Sequence, residues 1–173
     1  MAQEAIDLVI AGTPRARPRP RHAARIIRGK AVSMTYQPTK IRINRKTGKP
    51  DPYSVAWARA QEWYEAVRAA LWKHGRPAEP WTGPVCCTID VYFERPQRLN
   101  KKSSPEEAIR HTASPDRDNL DKSILDALTE AGLWEDDAQV CAGEVRKWYV
   151  AKGCGPGVVI RAERIPEHEG ALL

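Results

Sequence analysis

The stretch from Pro115 to Gly132 leaves the chain little choice of conformation. A proline ahead and a glycine behind are common limits of a helix, and Asp116 or Asp118 can cap its start. Leu120, Ile124, Ala127, Leu128 and Ala131 recur at the spacing of one helical face. A helix over 116–131 therefore buries that face against another layer. Roughly opposite, Asp118, Lys122 and Asp126 stand at successive i,i+4 steps and form one charged stripe.

The rest of the chain supplies the layer that the helix needs. Residues 5–11 (AIDLVIA) predict a buried strand stopped by Gly12-Thr13-Pro14, and 85–93 (VCCTIDVYF) a second, stronger one. Residues 30–36 fit a short strand. Two more are expected at 139–150 and 157–164, joined as a hairpin over 151–156. Ser54 is the expected N-cap of a second helix running to His74 and closed by Gly75. The fold class is thus α+β, a mixed sheet of about five strands with two main helices packed on it. At 173 residues the chain is one domain's worth. Residues 1–165 read as a single domain with a basic arm at 14–30 and a basic loop at 37–53, followed by a frayed tail at 166–173.

Charge is unevenly spread. Lysine and arginine total 28 against 22 aspartates and glutamates, a formal net charge of +6, which favours a polyanionic partner. Arg15, Arg17, Arg19, Arg21, Arg25 and Arg28 are interleaved with Pro14, Pro18 and Pro20, so 14–21 is extended chain. Such an arm suits tracking of a nucleic-acid backbone; a solvated segment is the alternative. Lys40, Arg42, Arg45, Lys46 and Lys49 make loop 37–53 either a second contact or a disordered insert. Arg95, Arg98, Lys101, Lys102 and Arg110 form a further candidate strip. Cys86, Cys87, Cys141 and Cys154 make no CxxC pair, which argues against a zinc ribbon and for reduced, mostly packed thiols in the cytoplasm. Apolar runs fall short of the roughly 20 residues that span a bilayer, and the short, acidic start does not read as a signal peptide. The six tryptophans are expected in the core or at contacts, with Trp134 a candidate for stacking on bases, and the four histidines on the surface.

Asp116 at the mouth of the helix, the stripe behind it, and Asp136-Asp137 just beyond Gly132 carry the chemical interest. Mg²⁺ takes one or two carboxylates and keeps waters, and a neighbouring lysine stabilises an anionic transition state. The same residues serve equally as a solvated helix face, a cap and a turn, and spacing alone does not choose. Leu125 lies off the core face near the stripe, where a partner can cover it.

Residues 115–140, PDRDNLDKSILDALTEAGLWEDDAQV, resemble the signature of the RusA family of Holliday junction resolvases: D-x-D-N-L-x-K, then D-A-L, then D-D-x-Q-V. Lys147 matches the basic end of that family's following strand. Gly12-Thr13-Pro14 with Arg17-Pro18-Arg19-Pro20-Arg21, and Tyr36-Gln37-Pro38, resemble its N-terminal elements. The segment from Tyr36 to Ser54 is longer than the family's usual linker.

The resemblance implies a metal-dependent homodimeric endonuclease that cuts four-way DNA junctions in recombination, repair or phage DNA processing, in the cytoplasm of a bacterial or phage-infected cell. Its essential carboxylates fall on Asp116, Asp118 and Asp137 and its essential lysine on Lys122. Asp136 joins the metal ligands, with Asn119 and Asp126 in support. Mg²⁺ is the expected cofactor, with Mn²⁺ able to substitute. Arg15, Arg17, Arg19, Arg21, Lys40, Arg42 and Lys147 are the expected DNA contacts. A twofold dimer suits two symmetric nicks. A non-catalytic junction-binding protein, or a metal nuclease acting on flaps, forks or linear duplex, are the alternatives.

Overall fold

The computed structural model describes residues 5–15, 18, 21–27 and 30–168. In chain order the elements are β1 (Ala5–Ala11), β2 (Arg21–Ile27), β3 (Lys30–Tyr36), α1 (Pro52–His74), β4 (Val85–Phe93), β5 (Ile109–Arg110), α2 (Arg117–Ala131), β6 (Val140–Ala142), β7 (Val145–Tyr149) and β8 (Gly157–Arg164). The fold is α+β, as the sequence implied. Among the described residues no helix is long and apolar enough to cross a membrane. The chain divides into two compact units, residues 15–63 and residues 1–14 with 64–173, the boundary falling within α1.

In the first unit β2 and β3 form an antiparallel hairpin, Arg21 opposite Tyr36. The distal half of the basic arm is therefore a strand. Arg17, Arg19 and Arg28 lie outside the described residues, as do residues 169–173 of the expected tail. Loop 37–53 is organised rather than loose. The Asn44 side chain accepts from Lys46 N (2.9 Å) and Thr47 N (3.3 Å), Gly48 (φ 66°) closes the turn, and Ile43 bridges Pro50. Asp51, not Ser54, caps α1. Its carboxylate accepts from Ser54 N at 2.9 Å, and Pro52 follows in the first turn, where a missing N–H costs nothing. Ser54 is one turn inside, its hydroxyl donating to Asp51 O and accepting from Arg42 N.

The second unit is built on a six-stranded sheet in the order β1-β8-β4-β7-β5, with β6 also on β4. β4 alternates buried and half-buried residues along its whole length, the period-2 signature of a central strand. It runs antiparallel to β8 and parallel to β6 and β7. Parallel neighbours need a crossover, and α2 supplies it between β4 and β7. The expected 157–164 hairpin partner is thus corrected: β7 and β8 lie on opposite edges of β4, because a central strand must satisfy hydrogen bonds on both sides. The expected strand over 139–150 is also corrected. It breaks into a 3-10 turn at Asp137–Gln139, then β6, then β7.

One face of the sheet holds the core. Ile6, Leu8 and Ile10 of β1, Val85, Ile89 and Val91 of β4, and Val158 and Ile160 of β8 are all buried. Leu120, Ile124, Ala127, Leu128 and Ala131 of α2 are buried too, which is the face the periodicity demanded. Gly132 ends α2 at φ 80°, its N–H reaching Leu128 O and Thr129 O. Of the cysteines expected inside, Cys87 is buried and Cys86 half-buried, but Cys141 and Cys154 are exposed. Burial, with Asp121 and Cys86 nearby, pushes the Cys87 thiol up to about 12, so it is inert.

Candidate active site

α2 starts with Asp116 at its N-cap position and Asp118 in its first turn. Both carboxylates are exposed, and neither makes a hydrogen bond or ion pair among the described residues. Asp116 thus occupies the capping position without using its side chain as a cap. Asn119 is half-buried.

One turn further on, the Lys122 ammonium lies 3.4 Å from Asp126 Oδ1 and 3.8 Å from Asp137 Oδ2. The structure therefore joins the α2 stripe to the loop beyond Gly132. The Asp126 carboxylate, through charge and a hydrogen bond, and then Asp137 raise the Lys122 pKa above the usual lysine value. As an ammonium it is a positive charge and a hydrogen-bond donor between the two carboxylates.

Asp137 is set by a device the sequence reading did not assign. Asp136 caps the 3-10 turn, accepting from Ala138 N at 2.8 Å, and Gln139 completes a capping box. Gln139 Oε1 accepts from the backbone N–H groups of Glu135 and Asp136, each at 2.9 Å. Its Nε2 donates to Trp81 O and Gly83 O, both at 2.9 Å. One amide thus ties the aspartate loop to the segment before β4. The D-x-x-Q spacing carried this signal. Trp134, a candidate for base stacking, is instead 1% exposed, and its indole N–H donates to Thr129 Oγ1 at 2.7 Å.

Lys147 of β7 meets the segment that leads into the helix. Its ammonium donates to Ala113 O and Pro115 O, both at 2.7 Å, fixing the segment that delivers Asp116. His111 lies against the same strand. It is buried, its backbone N–H donates to Lys147 O at 3.0 Å, and its ring stacks on Phe93 (4.2 Å between centroids) and against Tyr149 (4.5 Å). Burial, then the charge of Lys147, lowers its pKa below the usual histidine value. The unfolded chain binds that proton first, so stability is full above pH about 6.5 and is lost as pH falls below it. Replacing His111 with Phe should flatten the melting temperature between pH 7 and 5 relative to wild type; parallel curves would refute this assignment.

Of the expected DNA contacts in the first unit, Arg15, Lys40 and Arg42 are exposed, Arg21 lies in β2, and Arg17 and Arg19 are outside the described residues. Among the described residues no three histidine, cysteine or acidic side chains are gathered closely enough to enclose a metal ion. The donor set at the helix mouth nonetheless suits Mg²⁺. Its oxygens are hard, exposed and unengaged at Asp116 and Asp118, and Mg²⁺ uses few protein ligands and retains water.

Two exposed carboxylates thus stand at the start of α2, with a lysine about one turn further on that meets Asp126 and Asp137. The chain belongs to the endodeoxyribonuclease RusA family, whose model matches residues 11–163. It is 33% identical over 93 residues to the uncharacterized protein YqaN of Bacillus subtilis (strain 168), covering 51% of this chain and 65% of that one. It is 58% identical over 38 residues to crossover junction endodeoxyribonuclease RusA of Escherichia coli (strain K12), covering 22% of this chain and 32% of that one. The same values hold for the RusA of Enterobacteria phage 82. The chain thus spans less than two thirds of the length of each of these relatives.

Proposed function

We propose that this chain is a Mg²⁺-dependent endodeoxyribonuclease that resolves four-way DNA junctions by paired symmetric nicks, acting as a homodimer in recombination, repair or phage DNA processing. The observation that carries the reading is the convergence of Lys122 with Asp137 and Asp126, one helical turn behind the unengaged carboxylates of Asp116 and Asp118. Family membership and the crossover junction endodeoxyribonuclease among its relatives support it.

Asp116, Asp118 and Asp137 would hold the cation, with Asp136 bracing Asp137 and Asn119 and Asp126 in support. Mg²⁺, or Mn²⁺ in its place, supplies Lewis-acid stabilisation of phosphate charge and a more acidic water. Lys122 holds a permanent proton toward the scissile phosphate and offsets the charge that grows there as water adds to phosphorus and the 3′ oxygen leaves, which yields a 5′-phosphate. Lys147 keeps the Asp116 segment in place through two carbonyls. Arg15, Arg17, Arg19, Arg21, Lys40 and Arg42 bind the phosphate backbone.

The test is cleavage of a labelled synthetic four-way junction by the intact protein with Mg²⁺, Mn²⁺ or EDTA, beside flap, fork and linear duplex controls. Paired nicks in opposing strands that need the divalent ion are expected. Tight junction binding without cleavage under either metal would instead make the chain a junction-binding protein. Equal cleavage of flaps or linear duplex would remove the junction preference.

A further inference from the structure

By sequence Arg95 belongs to a candidate basic strip with Arg98, Lys101, Lys102 and Arg110, yet it is only 8% exposed. It follows β4 directly, and its guanidinium donates four hydrogen bonds to backbone carbonyls. Nε reaches Val150 O at 2.9 Å, Nη1 reaches Leu99 O at 3.4 Å and Pro105 O at 2.6 Å, and Nη2 reaches Glu107 O at 2.5 Å. The planar fork makes one cation a template for loop backbone. The carbonyls of Leu99, Pro105 and Glu107 meet on this one cation, so residues 96–107 form an arch closed on it.

Other bonds tighten the arch. Gln97–Leu99 form a 3-10 turn, with Leu99 N donating to Pro96 O and Asn100 N to Gln97 O. Ser104 N donates to Lys101 O. At the closing end Lys152 N donates to Glu106 O at 2.9 Å, and Lys152 Nζ lies 2.7 Å from the Glu106 carboxylate. The tip, residues 97–104, carries Arg98, Lys101 and Lys102 and no acidic residue, and all three cations are exposed. None of them makes a hydrogen bond or ion pair among the described residues.

From the arch the chain passes through β5 on the edge of β7 to His111, whose backbone N–H donates to Lys147 O, and then to Asp116. The Arg95 anchor at Val150 is three residues along the chain from Lys147, about 10 Å at strand rise. The arch is thus anchored just past the ends of β4 and β7, and β7 also carries the lysine that holds the segment before Asp116.

We infer that the arch 96–107 is a DNA phosphate-binding element, with Arg98, Lys101 and Lys102 as its contacts and Arg95 as the positioning residue that holds it open. The inference rests on the DNA-nuclease reading but concerns binding alone. It makes no demand on base sequence, because phosphate contacts position a duplex without reading it.

The experiment measures binding of the intact protein to labelled four-way junction and linear duplex in EDTA, as KCl is raised. Three contacts contribute about 2.7 to the slope of log K against log salt. The variant Arg98→Gln/Lys101→Gln/Lys102→Gln should flatten the slope by that order on both DNAs, with an unchanged melting temperature. Arg95→Gln keeps all three charges but releases the arch; it should weaken binding several-fold and open the 98–102 segment to trypsin. Should Arg95→Gln fail to fold, Arg95→Lys, which keeps the charge but not the fork, takes its place with the same expectation. A triple variant with wild-type slope and affinity overturns the arch as a DNA element, even if anionic vesicles still bind it. Wild type that binds neither DNA overturns the nuclease reading itself, a result distinct from the first.

Discussion

Replacing Lys122 with Met should lower the rate of junction cleavage by about 10²–10³ while leaving junction affinity in EDTA near wild type. The ammonium is exposed and lies at the rim of two carboxylates rather than in the core, so its loss does not open a cavity. The side chain's aliphatic stem remains in Met. What disappears is the positive charge beside Asp137, at the moment when negative charge grows on the phosphate. A lysine ammonium keeps its proton well above neutrality in any case. Wild-type cleavage should therefore show no alkaline decline up to pH 9 that Lys122→Arg abolishes. If Lys122→Met cleaves at the wild-type rate, the stripe is a solvated helix face and the site lies elsewhere. If Lys122→Met loses binding and cleavage together, Lys122 is a backbone contact and not a transition-state group.

The candidate carboxylates and lysine could be named from sequence because they are local, and it was the family resemblance, not their spacing, that set them apart from a solvated helix face. Asp116, Asp118, Lys122 and Asp126 belong to one helix whose limits, Pro115 and Gly132, are written beside it, and Asp137 follows within a few residues. β1, β3, β4 and β8 were legible for the same reason, as short runs bounded by turns. What failed was nonlocal. Nothing near residues 145–164 reveals that β4 lies between β7 and β8. Arg95 looks like its neighbours Arg98 and Lys101 until the carbonyls of Pro105, Glu107 and Val150 converge on it. Trp134 sits beside two aspartates in sequence, but the Thr129 hydroxyl and the bridge to Trp81 draw it inward. Even the start of α1 depended on where the loop turns, so that Asp51 and not Ser54 caps it.

Gly143 is the sharpest of these nonlocal requirements, and it yields the largest expected effect on stability. It stands between β6 and β7, where both lie along the same edge of β4, at φ 127°. A Cβ there would sit 1.8 Å from Cys87 O and 2.5 Å from Cys87 C. These are backbone atoms of the central strand, which cannot swing aside as a flexible side chain can. The next residue accepts from Ile89 N through Glu144 O at 2.7 Å, so retreat of the 143–144 backbone breaks a bond within the sheet. Positive φ adds about 1–3 kcal/mol, and overpacking against fixed backbone about 2 kcal/mol. Gly143→Ala should thus lose about 3–5 kcal/mol, against a usual total of 5–15 kcal/mol. In thermal denaturation that is a fall of about 6–20 °C for a chain of this length. Gly153→Ala is the control, since its φ of 77° is also positive but a Cβ there meets nothing within 4 Å. It should lose only the conformational part. Equal melting temperatures for the two variants would mean that the chain at Gly143 does not approach Cys87 this closely. A much larger loss at Gly143 would show that one backbone contact joins the strand after Asp137 to the strand that carries Lys147, and so holds both flanks of the site to β4.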